Sequence, residues 1–225
     1  MIFRYTYRGG TWIDLEHPTE EEVRRIAKEF SISERLESEL FSPTPAPLVA
    51  SDGGVTFLVL HFPTHGANEG EIRDQEIDFV IGTNFIVTVR YEIIEPLHRL
   101  QKLLETQKLI SPDDSMNTDV LLEILFAHLY TSVRDHVNTV ADRLGHIEHD
   151  MFNGLERTTV RAISDTGREF LHTEASLANQ EGSLERFLKI LGGKDMFGTA
   201  FAERAERMLS ERTQVARLVN VKMKS

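Results

Sequence analysis

Past Pro96 the apolar residues stop alternating and begin to recur every three or four positions, and they do so to the end of the chain. A step of two suits a strand and a step near 3.6 suits a helix, so this switch divides the chain into a mixed first part and an all-helical second part. The helical part opens with "LHRLQKLLETQKLI". Between Asn117 and Asn153 the residues Leu122, Phe126, Leu129, Val133, Val137, Val140, Leu144, Ile147 and Met151 follow in unbroken steps of three and four, in a helix of about ten turns. After Asn153-Gly154 a second helix runs to Leu191, with Ile163, Phe170, Leu177, Leu184 and Leu191 every seventh residue. Such a narrow seam packs lengthwise against another helix. The companion line Val160, Gly167, Glu174, Glu181 and Leu188 is poor in apolar residues, so the spacing predicts a long antiparallel hairpin with a wet centre. Gly192-Gly193 breaks it, and a third helix is expected from about Thr199 to the last residue, with a thin seam of Ala205, Leu209, Ala216, Val219 and Met223. With no terminal glycine or proline to stop it, that helix is expected to continue into a longer protein.

The first part reads differently. "FRYTYRGGTWIDL" gives two short strands around Gly9-Gly10, and Thr19 with Glu22 forms a capping box that starts a helix burying Val23, Ile26, Ala27 and Phe30. Ser31 or Ser33 caps a second short helix through Leu40, which the prolines of "SPTPAP" stop. "VTFLVLHFP" is a buried strand, "HGANEGEIRD" a loop, and "EIDFVI" and "FIVTVRYE" form a hairpin around Gly82-Thr83-Asn84, where glycine and asparagine tolerate positive φ. The expected fold class is α+β: a small α/β sandwich over 1–95 with strands on both sides of two helices, a helical hairpin over 96–198, and a stalk helix from 199 to 225.

Charge and motifs narrow the function. A net charge of −11 argues against phosphate backbones and hence against nucleic acid as the main partner, and favours cations. Arg212, Arg217, Lys222 and Lys224 with no acid among them make the tail basic, as a helix C-terminus complementing its dipole or as a positive segment beside a membrane. No cysteine is present, which excludes thiol redox chemistry and thiolate metal sites. The opening residues lack the pattern of a signal peptide, and no apolar run is long enough to span a membrane. A Gly-rich phosphate loop, a Gly-x-Ser-x-Gly elbow and a His-Glu-x-x-His pair are all missing, so no enzyme is expected; "GGKDMFG" follows a helix rather than a strand. Asp142, His146 and Asp150 share one face of the first long helix, with His149 nearby, which suits zinc, cobalt or nickel or is an ordinary charged face. Glu69, Glu71, Asp74 and Glu76 read as a solvated connector.

In the order of its parts the chain resembles the cytoplasmic region of the CorA family of divalent-cation transporters. "WIDLEHPTEEEVRRIAKEFSI" is similar to the family's opening strand and helix, "VTFLVLHFP" to its middle strand, and "EIDFVIGTNFIVTVRYEIIEPLHRL" to its closing hairpin and connecting helix, with Asp78-Phe79 and Thr88-Val89 the most specific stretch. The resemblance covers essentially the whole chain. It implies a homopentameric funnel on the cytoplasmic side of the inner membrane, attached through C-terminal spans that these residues do not include, as they do not include the family's Gly-Met-Asn triplet. It also implies a regulatory role: intracellular Mg2+, or Co2+, Ni2+ or Zn2+, bridges carboxylates between subunits to gate the pore. By position Glu37 is the matching carboxylate, Ser38 stands where an aspartate is expected, and Glu39 is its substitute; on the stalk Glu203 is the counterpart, with Glu206 close by. A zinc transporter of the ZntB type is the alternative within the family, and a soluble helical scaffold is the alternative from another class.

Overall fold

The computed structural model describes residues 1–65, 72–110, 116–152 and 156–224, without the side chains of His65, Ile72, residues 109–110, 148–152 and 156–158. The chain runs β1 (Ile2–Tyr7), β2 (Gly10–Glu16), α1 (Glu20–Glu29), α2 (Glu34–Glu39), β3 (Leu48–Asp52), β4 (Val55–His65), β5 (Ile72–Ile81), β6 (Phe85–Arg90), α3 (Glu95–Ile110), α4 (Thr118–Phe152), α5 (Glu156–Leu191), a 3-10 turn (Thr199–Phe201) and α6 (Ala202–Lys224). Fold class agrees with the expectation of a mixed α+β chain with long helices. The six strands among the described residues join one sheet in the order β1-β2-β6-β5-β4-β3, antiparallel except for the parallel pair β2 and β6.

Alternation along the strands explains the layers. Phe57 and Val59 of β4, Val80 of β5 and Val87 and Val89 of β6 point to one face, where α1 and α2 cover them with Val23, Ile26, Ala27, Leu36 and Leu40. Leu58, Leu60, Phe79, Ile81 and Ile86 point to the other face, where α3, α4 and α5 pack with Leu97, Leu100, Phe126, Tyr130, Leu184 and Phe187. A sheet buried on both sides needs near-continuous apolar strands, and every residue of β6 is buried. Phe126 anchors the second face, its ring centroid 5.1 Å from Phe79 and 6.4 Å from Phe187.

Local signals fold as their chemistry dictates. Thr19 Oγ1 accepts from the Glu22 amide (3.2 Å) and Glu22 Oε2 accepts from the Thr19 amide (2.9 Å), closing the capping box. Ser33 is the residue before α2 but makes no side-chain cap. The hairpin between β5 and β6 forms, yet neither Gly82 nor Asn84 takes positive φ. Glycine is required at 82 for space, because a Cβ there would overlap the Phe85 ring. β3 is an edge strand absent from the sequence reading, since "LVASD" is short and half polar. The supposed connector is shorter than expected: Asp74 and Glu76 belong to β5, and Glu76 is buried, whereas Glu69 and Glu71 lie outside the described residues.

The long helices bury the expected seams with two differences. Phe170, Leu177, Leu184 and Leu191 are buried but Ile163 is 36% exposed. The second interior line of α5 is Thr159, Thr166, Thr173 and Gln180, also every seventh residue, rather than the Val160 line, and Val160 is exposed. On α6 the buried residues are Met208, Arg212, Val215 and Val219, one position around the helix from most of the expected seam, whose Ala205, Leu209, Ala216 and Met223 are half-buried. Arg212 occupies the middle of the true seam, so a reading by hydropathy steps around it.

Candidate functional site

Among the polar assemblies of the described residues, three tie parts of the fold to one another. Under α3, Arg90 donates from Nε and Nη2 to Asp14 Oδ2 (3.0 and 2.9 Å) and pairs through Nη1 with Glu16 Oε2 (2.7 Å). Thr88 donates to Asp14 Oδ1 (2.6 Å), and Gln101 of α3 donates to Asp14 Oδ2 (2.7 Å). Asp14 and Arg90 are each about 1% exposed, and a buried ion pair is tolerated when further hydrogen bonds complete it as they do here. Burial pushes the Glu16 carboxyl up, but Arg90 and His98 outweigh it and hold it below the ordinary carboxylate range.

On the opposite face of the sheet, around the end of α2, Glu76 accepts the Thr44 amide at both carboxylate oxygens (2.8 Å each), and His61 Nε2 lies 2.8 Å from the Thr44 carbonyl and 3.3 Å from Glu76 Oε2. Asp78, fully buried on the same strand, accepts from the Tyr91 hydroxyl (3.0 Å). Burial first, and then the neighbouring Glu76 carboxylate, push Asp78 well above the usual carboxylate range, with Glu39 of α2 adding to the rise. The hydrogen bond to Glu76 raises the His61 imidazole against the opposing effect of burial.

The third assembly fixes α6. Arg204 donates to Asp119 (2.8 Å) and Glu123 (2.6 Å) of α4, Arg207 to Glu123 (2.5 Å), and Arg134 of α4 to Glu211 (2.7 Å). Hydrogen bonds from Arg207 and then Arg204 hold Glu123 below its ordinary pKa, overcoming burial. Buried Arg212 donates to the Leu177 carbonyl (2.8 Å) and to Glu181 (2.5 Å) of α5. Because Arg204 is turned toward α4, the first turns of α6 leave their carboxylates outward: Glu203, 88% exposed and only weakly paired with Arg207 at 4.0 Å, and Glu206, also exposed.

The candidate ligands are distributed accordingly. Glu37 and Glu39 stand half-buried on α2, which covers one face of the sheet, whereas Glu203 and Glu206 stand on α6, which packs with the helices of the other face. One chain therefore does not bring the two pairs together. Ser38 spends its hydroxyl on the Arg35 carbonyl (2.8 Å). Asp142 and His146 share an exposed stretch of α4, and the side chain of Asp150 lies outside the described ones. Among the described residues no group of three or more His, Cys, Asp or Glu is arranged to hold a metal ion. Magnesium takes six oxygen ligands and keeps several as water, so one or two exposed carboxylates on a single surface supply only part of its shell. The hubs at Asp14 and Asp78 escaped the sequence reading as sites, although both sit in the stretches that carry the resemblance.

Comparison with known proteins bears on this arrangement. A profile of the family described as "CorA-like Mg2+ transporter protein" matches residues 7–222. Among solved structures, the complete CorA magnesium transporter of Methanocaldococcus jannaschii is 19% identical with a TM-score of 0.77, over 96% of this chain and 66% of that one. The soluble domain of the same protein is 18% identical with a TM-score of 0.76, covering 96% and 84%. The ZntB cytoplasmic domain from Vibrio parahaemolyticus is 10% identical with a TM-score of 0.74, covering 97% and 84%. A search among curated proteins finds no match. The chain thus spans just under two thirds of the complete transporter it resembles, and among the described residues no helix is long and apolar enough to cross a membrane.

Proposed function

The chain belongs to the CorA-like Mg2+ transporter protein family, and from that premise we propose that it is the regulatory part of a divalent-cation transporter, sensing Mg2+ on the cytoplasmic side of the membrane. The observation that carries this reading is the family match over nearly the whole chain. In the proposed mechanism identical chains assemble as a pentamer, and a hydrated Mg2+ bridges Glu37 of one copy and Glu203 of the next, with Glu206 beside it. Glu39, two residues further along α2, is the substitute ligand where Ser38 offers no carboxylate. Bound cation neutralises the two acidic surfaces and holds the copies in one arrangement; its loss leaves like charges facing each other, and α6 transmits the change toward membrane segments that complete the pore. Two features support this: the outward carboxylates at the start of α6, and the separation of α2 from α6 within one chain, which makes a neighbouring copy the natural second half of the site. Transport is the work of the whole protein, and these residues contribute its control.

Zinc is the second reading, favoured by Asp142 and His146 on the exposed side of α4 and by the fold shared with the ZntB domain. Magnesium ranks first because the two pairs on α2 and α6 offer oxygen alone. Thermal unfolding with millimolar Mg2+ or Zn2+ separates the readings. A ligand at about 100 times its Kd stabilises the state that binds it by about 2.7 kcal/mol, which for a chain of this size raises Tm by about 5–10 °C. Mg2+ should produce the rise, and Glu203→Gln should reduce it. A response to Zn2+ alone, abolished by His146→Ala, selects the zinc reading, and indifference to every divalent ion selects a helical scaffold instead.

A further inference from the structure

The cluster around Asp78 is unused by the cation mechanism. It lies on the face of the sheet covered by α1 and α2, beneath the segment that leaves α2. That segment is Ser42-Pro43-Thr44-Pro45-Ala46-Pro47, in which only Thr44 and Ala46 carry amide protons after Ser42. Proline on both sides favours an extended Thr44, whose donor and acceptor must find partners outside any helix. Both are supplied by side chains of the sheet: Glu76 takes the amide and His61 meets the carbonyl. Since the carbonyl can only accept, His61 Nε2 carries a hydrogen.

Asp78 is the anomaly beside them. One of its oxygens accepts from Tyr91, while Oδ1 is sealed from solvent with no donor to satisfy it among the described residues. An ionised carboxylate oxygen in that position would bear the full cost of desolvation. A proton on Oδ1 reverses the situation, because the group then donates, and buried Glu76 stands two residues away on the same face of β5. Like charges at close range resist joint ionisation, so a carboxylate beside Asp78 favours its neutral form.

We propose that Asp78 and Glu76 share a single proton, and that this buried pair with His61 is a proton-operated latch fastening the Thr44 strap, and so the C-terminal end of α2, to the sheet. With Asp78 neutral, Glu76 carries the one negative charge, directed at the Thr44 amide and His61. When Asp78 ionises, its carboxylate and that of Glu76 repel along the strand, Glu39 of α2 adds negative charge at Asp78, Asp74 of β5, itself held by His172 and Ser176, adds it at His61, and the Tyr91 hydroxyl, raised by burial and by Asp78, remains a neutral donor. Glu76 then loses its fixed position and Thr44 its partner. Asp78 and His61 both have raised folded values, so the stability they contribute is complete below their unfolded values and is lost as pH rises through the folded ones. The latch therefore opens toward alkaline pH, loosening the end of α2 that bears Glu37.

The test is carbon-13 NMR of the side-chain carboxyls of the 225-residue chain together with hydrogen exchange at the Thr44 amide, each against pH. Asp78 should remain protonated where the exposed carboxyls have ionised. Thr44 protection, as the ratio of intrinsic to observed exchange rate, should fall over the range in which Asp78 ionises, by about tenfold for each unit between its folded and unfolded pKa. Asp78→Asn keeps a donor toward Glu76 at every pH, so Thr44 should stay protected with a flat profile. Glu76→Gln removes the repelling charge and should lower the Asp78 midpoint, a readout that holds even where Asp78→Asn does not fold. An Asp78 titrating in the ordinary aspartate range, an unmoved midpoint in Glu76→Gln, or a pH profile of Thr44 unchanged in Asp78→Asn would each overturn the latch.

Discussion

Replacing Arg90 by methionine isolates what the hub under α3 contributes. Arg90 and Asp14 are each about 1% exposed, so the change removes the countercharge of a carboxylate that water cannot reach. Taking one partner from a buried pair costs about 3–5 kcal/mol, mostly as the penalty of the orphaned charge. Asp14 retains two neutral donors, Thr88 at 2.6 Å and Gln101 at 2.7 Å, which places the expected loss at the lower end, about 3 kcal/mol. The Glu16 carboxylate, 13% exposed, also loses Arg90 but keeps His98 at 2.7 Å and some access to water, so it adds little. For a chain of this length the loss corresponds to a Tm lower by about 6–12 °C. The informative comparison is the double variant Arg90→Met with Asp14→Asn. Replacing both charges leaves no buried ion, so it should recover about 1–2 kcal/mol relative to the sum of the single changes. Urea unfolding of the four proteins measures this. An Arg90→Met protein within about 2 °C of the parent, or strict additivity in the cycle, would refute the description of this pair as a desolvated ion pair.

Arg212→Met should cost about 1.5–3 kcal/mol, the range for a hydrogen bond from a charged donor, because the Leu177 carbonyl loses its partner, while half-exposed Glu181 returns to water; denaturant melts check the loss, and faster exchange of α6 amides checks its location. Gly82→Ala should lower Tm although the site has no positive φ, since the new Cβ meets the Phe85 ring, and Phe85→Ala should relieve that increment. Acid should destabilise the fold: Glu29, held down by its bond from Arg4, Glu123, held down by Arg207 and Arg204, and Glu16 contribute stability above their unfolded values that is lost as pH falls below about 4 through the depressed folded ones. Urea midpoints from pH 7 downward should show it, and Glu123→Gln should flatten the curve.

What the residues disclosed in advance follows from where each signal resides. The Thr19–Glu22 box is a contact across three residues, and the apolar face of α4 from Leu122 to Val140 repeats one period in one element, so both were legible locally. The Thr159, Thr166, Thr173, Gln180 line of α5 has the same seven-residue spacing as its apolar seam, but polar side chains carry no hydropathy signal. Their burial depends on partners far along the chain, as when Tyr130 donates to Gln180 and Gln180 donates to the His61 carbonyl. Arg212 hid the true seam of α6 for the same reason. At the candidate site Glu37 and Glu203 could be named because a resemblance placed them, but their placement on opposite sides of one sheet depends on which strand face each helix covers. In the sequence Asp78 stands out only as part of a recognisable stretch. That it is a buried acid requires His61, Thr44, Glu76 and Tyr91 to converge, which no local pattern encodes.

The proposed mechanism places a divalent cation between copies of this chain, at α2 of one and α6 of the next. Sedimentation velocity of the parent and of Glu203→Gln, each with EDTA and with millimolar Mg2+, tests it most directly. Mg2+ should shift the parent toward larger species, EDTA should reverse the shift, and Glu203→Gln should respond weakly. Identical distributions with and without Mg2+, or a Mg2+ response that the Glu203 variant retains in full, would contradict it.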